Sequence, residues 1–273
     1  MDSFDFSNQW ASEKALGQRG KIFPFLDKGF VSLVDVMGND SSIAEAARTS
    51  YGIGDSAYGS GKNRRVRTPE ENRRLIRRLM RDRHTSVFEM AEMKFMIKMP
   101  IFVMRQHIRH RTASVNEYSG RYAKMLDEFY VPAKEVITKQ DPVNKQGGTA
   151  ERLDDPLAET GEFIREQEFI FSEYMKKLEK NMRRELARIN LPVSGYTLCY
   201  WKTDLHNLLH YLGLRMEEHA QYEIRVMAEA IGKITSECFP VTYEAFLDYR
   251  LNSVNFSSAG MEYIRKVFRN HNE

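Results

Sequence analysis

The chain is poor in cysteine, has no long apolar run and carries almost no net charge, and each shortage closes off a class of function. Its two cysteines, Cys199 and Cys238, both lie among apolar neighbours. That argues against a disulfide framework and suits a reducing compartment, so the cytoplasm is the expected location. No stretch approaches the roughly 20 consecutive apolar residues that span a bilayer, so no membrane segment is expected. The opening MDSFDFSNQW is too acidic and polar to read as a secretory signal. With 41 basic against 38 acidic residues the formal net charge is +3. Any cationic feature is therefore local, and general coating of nucleic acid is not expected.

What remains is an ordinary globular composition, 42% hydrophobic and 29% charged over 273 residues, ample for a buried core. Residues 1–26 lack periodicity and read as an N-terminal arm that either packs on the body or stays mobile. FVSLVDVMG alternates like a strand, and SSIAEAARTSY, capped by Asp40 or Ser41, reads as a helix. The glycines between Gly52 and Val66, with the basic KNRRVR, read as a loop. Thr68-Pro69-Glu70-Glu71 is a capping box with proline at the first helical position, so a helix starts there and stops before His84. EMKFMIKMP reads as a strand ended by Pro100, with IFVMRQHIRHR helical after it and Ile101, Met104 and Ile108 as its inward stripe.

Residues 138–156 are polar and rich in turn formers, the mark of a surface insertion. From Leu157 to Lys180, apolar residues including Phe163, Ile164, Phe171 and Tyr174 recur at helical spacing, predicting one long amphipathic helix. RRELARINLP predicts a short helix and GYTLCYW a strand, and the last third is mostly helical, with residues 251–273 as a helical tail. No repeat or linker divides the chain. The expectation is a single α+β domain over residues 27–250, with an antiparallel or mixed sheet and long amphipathic helices.

The stretch RHRTASVNEYSGRY, from Arg109 to Tyr122, stands out. Two unit charges about 4 Å apart repel by on the order of 4 kcal/mol at an effective dielectric of about 20, so gathering Arg109, Arg111 and Arg121 requires an anion. Guanidinium forks match phosphate oxygens, with Ser114, Asn116, Ser119 and the Gly120 backbone as neutral donors. The bland alternative is a solvated face, or ion pairs to Glu117 and Asp127.

The same stretch matches R-H-R-x-x-S-x-N-E-x-S-x-R-Y at every fixed position and so resembles the signature of the flavin-dependent thymidylate synthases. HTSVFEM at 84–90 is similar to the family's H-x-S/T-x-F-E segment, ARINLP at 187–192 to its A-R-x-x-L-P, and DLHNLLHYLGLR with HAQYEIR to its C-terminal site. The resemblance runs in order from residue 27 to about 250. The arm and the 138–156 insertion depart from it without interrupting any motif.

The resemblance implies conversion of dUMP to dTMP, with methylenetetrahydrofolate as one-carbon donor, reduced FAD as hydride donor and NADPH as reductant. It places Gln106, Ser119, Arg121 and Arg188 at the dUMP phosphate, Glu117, Gly120 and Tyr122 in the same nucleotide site, and Arg215 with the Leu214 backbone at the uracil. For FAD it implies Arg109, His110, Arg111 and Glu117, joined by Ser86, Glu89, Asp204, His206 and His210. His84 would lie near the flavin and folate rings, and Arg215 and His84 are the expected catalytic residues. A homotetramer with sites at subunit interfaces is implied as well.

Alternatives stay open residue by residue. His206 and His210 have a zinc-ligand spacing with His219 nearby, though no metal is expected. Tyr122 can stack or simply pack, and Glu89 can be a cap partner. Neither cysteine has a cation beside it in sequence to activate it as a nucleophile. An RNA-binding module, motivated by KNRRVR and the RHR run, would show steep salt dependence. A flavoprotein methylating uracil in RNA would be expected to carry a G-x-G-x-x-G after a strand, and none is present.

Overall fold

The computed structural model describes residues 7–51 and 67–270. In chain order the elements are α1 (Glu13–Leu16), β1 (Ile22–Phe25), β2 (Gly29–Met37), α2 (Asp40–Arg48), α3 (Pro69–Arg81), β3 (Glu92–Pro100), α4 (Ile101–His107), β4 (Ser114–Glu117), β5 (Thr138–Gln140) and β6 (Gly148–Arg152). They continue with α5 (Pro156–Glu179), α6 (Arg184–Ala187), β7 (Tyr196–Asp204), α7 (Leu205–Arg215), α8 (Tyr222–Cys238), α9 (Pro240–Phe246) and α10 (Ser258–Asn270). The main sheet has the order β1-β2-β3-β7-β4, and every pairing in it is antiparallel. The expected α+β class is what the chain adopts.

One face of the sheet makes the core, as the alternation of its strands dictates. Met93, Phe95, Ile97 and Met99 of β3 and Cys199 and Trp201 of β7 turn inward, joining Ile224, Met227, Ile231 and Ile234 of α8. The other face stays wet: Lys94 lies over the Tyr200 ring at 5.2 Å and Lys202 pairs with Glu92 at 2.9 Å. The predicted capping box of α3 forms in full, with Thr68 Oγ1 accepting from Glu71 N and a Glu71 carboxylate oxygen accepting from Thr68 N. The Gly52–Val66 loop falls outside the described residues.

Several local expectations are corrected. The cap of α2 is Asn39, whose side chain accepts from Ser42 N at 3.0 Å. Asp40 instead reaches α9, accepting from Val241 N at 3.0 Å and Thr242 N at 2.9 Å. Part of the N-terminal arm is built into the body, because β1 pairs along β2 and Ala15 of α1 is fully buried. The 138–156 segment is a surface hairpin in which β5 pairs with β6. The long helix α5 forms as predicted, yet its only buried residues are Gln167 and Tyr174. Phe163, Ile164 and Phe169 remain exposed, since none of the described residues covers that stripe.

Helix α4 also differs, ending at His107 rather than continuing into the arginines. Its inward residues are Val103, Met104 and His107; Ile108 caps the helix and lies outside, and Ile101 is only partly covered. His107 is 0% exposed. Its ring centroid sits 4.5 Å from that of Trp201 and 5.2 Å from that of Tyr211, with Nδ1 3.3 Å from the Tyr211 hydroxyl. Burial, reinforced by His110 and Arg215, pushes its pKa down from 6.5 to about 3. The folded state therefore holds His107 neutral where the unfolded chain protonates it, so stability is complete above about pH 6.5 and is lost as pH falls toward 3. The urea midpoint should drop across that window by the equivalent of a few kcal/mol, and His107→Gln should flatten the drop. An equally steep acid limb in the variant would show that the titrating group lies elsewhere.

Candidate active site

Two clefts flank α7, and they exist because of how that helix starts. Asp204 ends β7 and caps α7, one carboxylate oxygen accepting from Asn207 N at 2.9 Å and the other from Asn207 Nδ2 at 2.8 Å. Leu205, Leu208, Leu209, Tyr211 and Leu212 then face the core. The i, i+4 spacing leaves His206, His210 and Leu214 in a row along the outer face, with Arg215 closing the last turn.

The first cleft, of about 380 Å³, lies between that face and the turn following α4. Arg109, His110, Arg111 and Thr112 form one wall, and Trp201, Thr203, Asn207, His210, Leu214 and Arg215 form the other. None of these is a carboxylate, and among the described residues Arg109, Arg111 and Arg215 have no ion pair, so their charge is uncompensated. Thr203 Oγ1 donates to Thr112 O at 3.1 Å and ties the turn to β7. Trp201 Nε1 is buried in the wall without a hydrogen-bond partner, a group that a ligand acceptor would satisfy.

Arg215 Nε donates to His110 Nε2 at 3.1 Å. A guanidinium only donates, so His110 Nε2 must be the bare nitrogen and the imidazole neutral. Burial pushes the His110 pKa down to about 4, helped by Arg215 and His210. With Nε occupied, the Arg215 terminal nitrogens are free to meet a ligand.

The second cleft, of about 430 Å³, opens on the opposite side of the row and shares His210 and Leu214 with the first. His84 and His206 line it, over an apolar floor that includes Leu79, Phe88, Leu209 and Phe246. Ser86 and Glu89 are exposed in the turn after His84, where Glu89 N donates to Ser86 O at 3.2 Å.

The second half of the signature sits elsewhere. Ser119 Oγ accepts from Arg121 N at 3.3 Å, Arg121 pairs with Glu185 at 3.4 Å, and Arg184 donates to the Tyr122 carbonyl at 3.1 Å. Gly120 is pressed against Arg188: a Cβ there would lie 2.9 Å from Arg188 Cδ. Gln106 stands apart again, its amide bonded to the Gln221 side chain. Glu117 accepts from Thr197 Oγ1 at 2.8 Å. Neither α7 cleft is lined by Gln106, Glu117, Ser119, Gly120, Arg121, Tyr122 or Arg188.

The single socket expected from the signature is thus two cationic groups. The cause is β4, whose four residues hold Arg111 and Arg121 apart by roughly 13 Å of extended chain before the flanking residues are added. Among the described residues the one cluster with metal-ligand spacing is Glu217, Glu218 and His219, all exposed, and it includes neither His206 nor His210. Cys199 and Cys238 are buried, with thiol pKa values pushed up to about 12 by that burial, so neither is a poised nucleophile.

Sequence reasoning missed Trp201, Thr112, Thr203 and Asn207 as lining. Trp201 reads as core in an apolar strand, and nothing local reveals that its edge borders a cleft. It likewise missed Arg83 and Arg250 at the second cleft, because one follows a helix rich in paired arginines and the other lies near the end of the motif region.

Comparison with known proteins supplies the family. Residues 32–241 match the family described as thymidylate synthase complementing protein. A flavin-dependent thymidylate synthase of Wolbachia pipientis is 47% identical over 90% of this chain and 84% of its own. One of Treponema denticola is 47% identical over 90% of each. Among solved structures, the UMP/dUMP methylase PolB from Streptomyces cacaoi bound with 5-Br dUMP superimposes with a TM-score of 0.74 at 33% identity, over 85% of this chain and 100% of that one. By signature, fold and coverage, the chain belongs to the thymidylate synthase complementing protein family.

Proposed function

We propose that the chain is a flavin-dependent thymidylate synthase, converting dUMP to dTMP with methylenetetrahydrofolate as one-carbon donor and NADPH as reductant. The observation that carries this reading is the cleft in which, among the described residues, no carboxylate lines the wall and Arg109, Arg111 and Arg215 stand around His110 with no ion pair. Guanidinium groups that face one cleft without carboxylate partners suit phosphate or a developing anion. The names of the relatives point to the same activity.

The residues present fit FAD: an unpaired arginine pair for its pyrophosphate and an unpartnered indole N–H in the same wall. Arg109, His110, Arg111 and His210 would hold it, with His206 and His84 adjoining; Asp204, Ser86, Glu89 and Glu117 are further contacts that the family resemblance implies. Bound and reduced, FAD supplies the hydride. The protein's part is binding and electrostatics. Arg215 faces the uracil with its terminal nitrogens and stabilises the negative charge that develops on a ring carbonyl as hydride is added. His110 holds that guanidinium in place from behind. The Leu214 backbone orients the other edge of the ring. Neither buried thiol is suited to attack the uracil, which agrees with a route that needs no cysteine.

The dUMP phosphate would be gripped by Ser119, Gly120, Arg121 and Arg188, with Gln106 and Tyr122 beside them. Because β4 separates this group from Arg215 in one chain, we place the complete site between subunits, in a homotetramer whose contacts cover the open stripe of α5. A second substrate, UMP, is kept in view because PolB was also solved bound with 5-Br UMP.

Purified protein given C5-tritiated dUMP, methylenetetrahydrofolate, FAD and NADPH should release tritium, and should stop when flavin is omitted. Release that persists without flavin would defeat the reading, and faster turnover of UMP would reassign the substrate. Arg215→Ala should lower kcat far more than it raises the KM for dUMP, because its contact strengthens in the transition state. Arg188→Ala should instead weaken dUMP binding by about 1.5–3 kcal/mol, the worth of a charge-assisted hydrogen bond, measured by titration. If the site joins two subunits, co-expressing these two variants should restore roughly a quarter of wild-type activity by random assortment of half-sites. No recovery would place both arginines in one chain's site.

A further inference from the structure

The second cleft carries two arginines that the function above does not use. Helix α3 is dense in arginine, and the others near it are paired: Arg73 with Glu244 at 2.5 Å, Arg74 with Glu70 at 2.9 Å, Arg77 with Glu244 at 2.8 Å, Arg78 with Asp82 at 3.6 Å and Arg81 with Asp82 at 2.8 Å. Arg83 and Arg250, which both line the cleft, have no ion pair among the described residues. Each has only a neutral partner, Arg83 donating to Asn255 Oδ1 at 3.3 Å and Arg250 to the Met80 carbonyl at 3.2 Å. Among the described residues, none that lines the cleft is a carboxylate. Proximity to Arg83 adds to burial in lowering the Arg250 pKa, so the two like charges feel one another.

The backbone at both positions is unusual. Arg83 has φ +61° at the residue just past the end of α3, where glycine is commonest, and Arg250 lies in a π-helical turn over Leu247–Leu251, a feature frequent at functional sites. Arg83 and Asn255 are exposed at the rim. Phe88, Leu209 and Phe246 lie buried below them, and His210 and Leu214 lead into the basic cleft. The cleft thus offers an apolar slot for a flat ring next to the flavin-binding wall, with two uncompensated cations where that slot meets solvent.

Resting on the function proposed above, we infer that Arg83 and Arg250 receive the glutamyl carboxylates of the folate co-substrate, with its aminobenzoyl ring over Phe88 and Phe246. A folate places its charge at one end of an aromatic body, matching cations confined to one end of an apolar slot. A nicotinamide dinucleotide carries its pyrophosphate mid-molecule and matches less well.

The test is equilibrium titration of FAD-loaded protein with 5-formyltetrahydrofolate and with its glutamate-free counterpart, 5-formyltetrahydropteroate. Arg83→Ala and Arg250→Ala should each weaken the first by about 10-fold and leave the second unmoved, with the Kd for dUMP within about two-fold of wild type. Arg83→Ala is the decisive variant because its side chain is exposed, and an unshifted thermal midpoint verifies that it folds. Equal losses for both probes, no loss for either, or a raised KM for NADPH alone would overturn the assignment. A wild-type protein that fails to make dTMP defeats the underlying function, whereas one that turns over while both variants bind folate normally defeats only this inference.

Discussion

Strand β7 is hydrogen-bonded along both edges, to β3 over its full length and to β4 over part of it, and the geometry of the site follows from that pairing. Nine residues of extended chain span roughly 30 Å. Arg188 lies before the strand and Asp204, the cap of α7, at its end, so residues close in a motif list are carried to opposite ends of the sheet. Because β4 runs antiparallel beside β7, the signature is stretched along the same line, its RHR end by α7 and its SGRY end by α6. The register admits no alternative: a one-residue slip of β7 would turn Trp201 and Cys199 out of the core and Lys202 and Tyr200 into it.

Within that frame the charges are kept apart by neighbours that cannot titrate against them. His110 accepts from Arg215, and behind it Tyr211, His107 and Trp201 form a buried aromatic cluster. A protonated His110 would place a second cation against Arg215 and lose its acceptor, so the neutral imidazole and the oriented guanidinium depend on each other. The cluster is rigid by packing, which fixes a long flexible side chain at little entropic cost during the reaction.

Much of this was legible from the residues. Capping at Thr68, the alternation of EMKFMIKMP and the leucine face of α7 are local signals, and local physics settles them. The signature picked out the cationic residues, but not that β4 divides them, because a four-residue exposed strand has no apolar alternation to announce it. Asn39 was passed over as a cap in favour of Asp40 or Ser41, since only tertiary structure shows Asp40 engaged with α9. The stripe of α5 was read as the apolar face of an amphipathic helix, and the described residues leave it open; periodicity reports that a face is apolar, not what covers it. Arg83 and Arg250 were invisible for a related reason: that an arginine lacks a partner is a property of three-dimensional surroundings.

The bond between Asp40 and the start of α9 joins parts of the chain some two hundred positions apart. A ribosome delivers the N-terminal part first, so β1, β2 and α2 lack this tie, with the Asp40 carboxylate facing water, until Val241 and Thr242 have left the exit tunnel. The sheet imposes the same delay, because β3 has β2 on one edge and lacks β7 on the other until late. Truncated products are therefore left with an open strand edge and no closed core, and quality-control proteases should meet them as unfinished chains rather than as smaller stable domains.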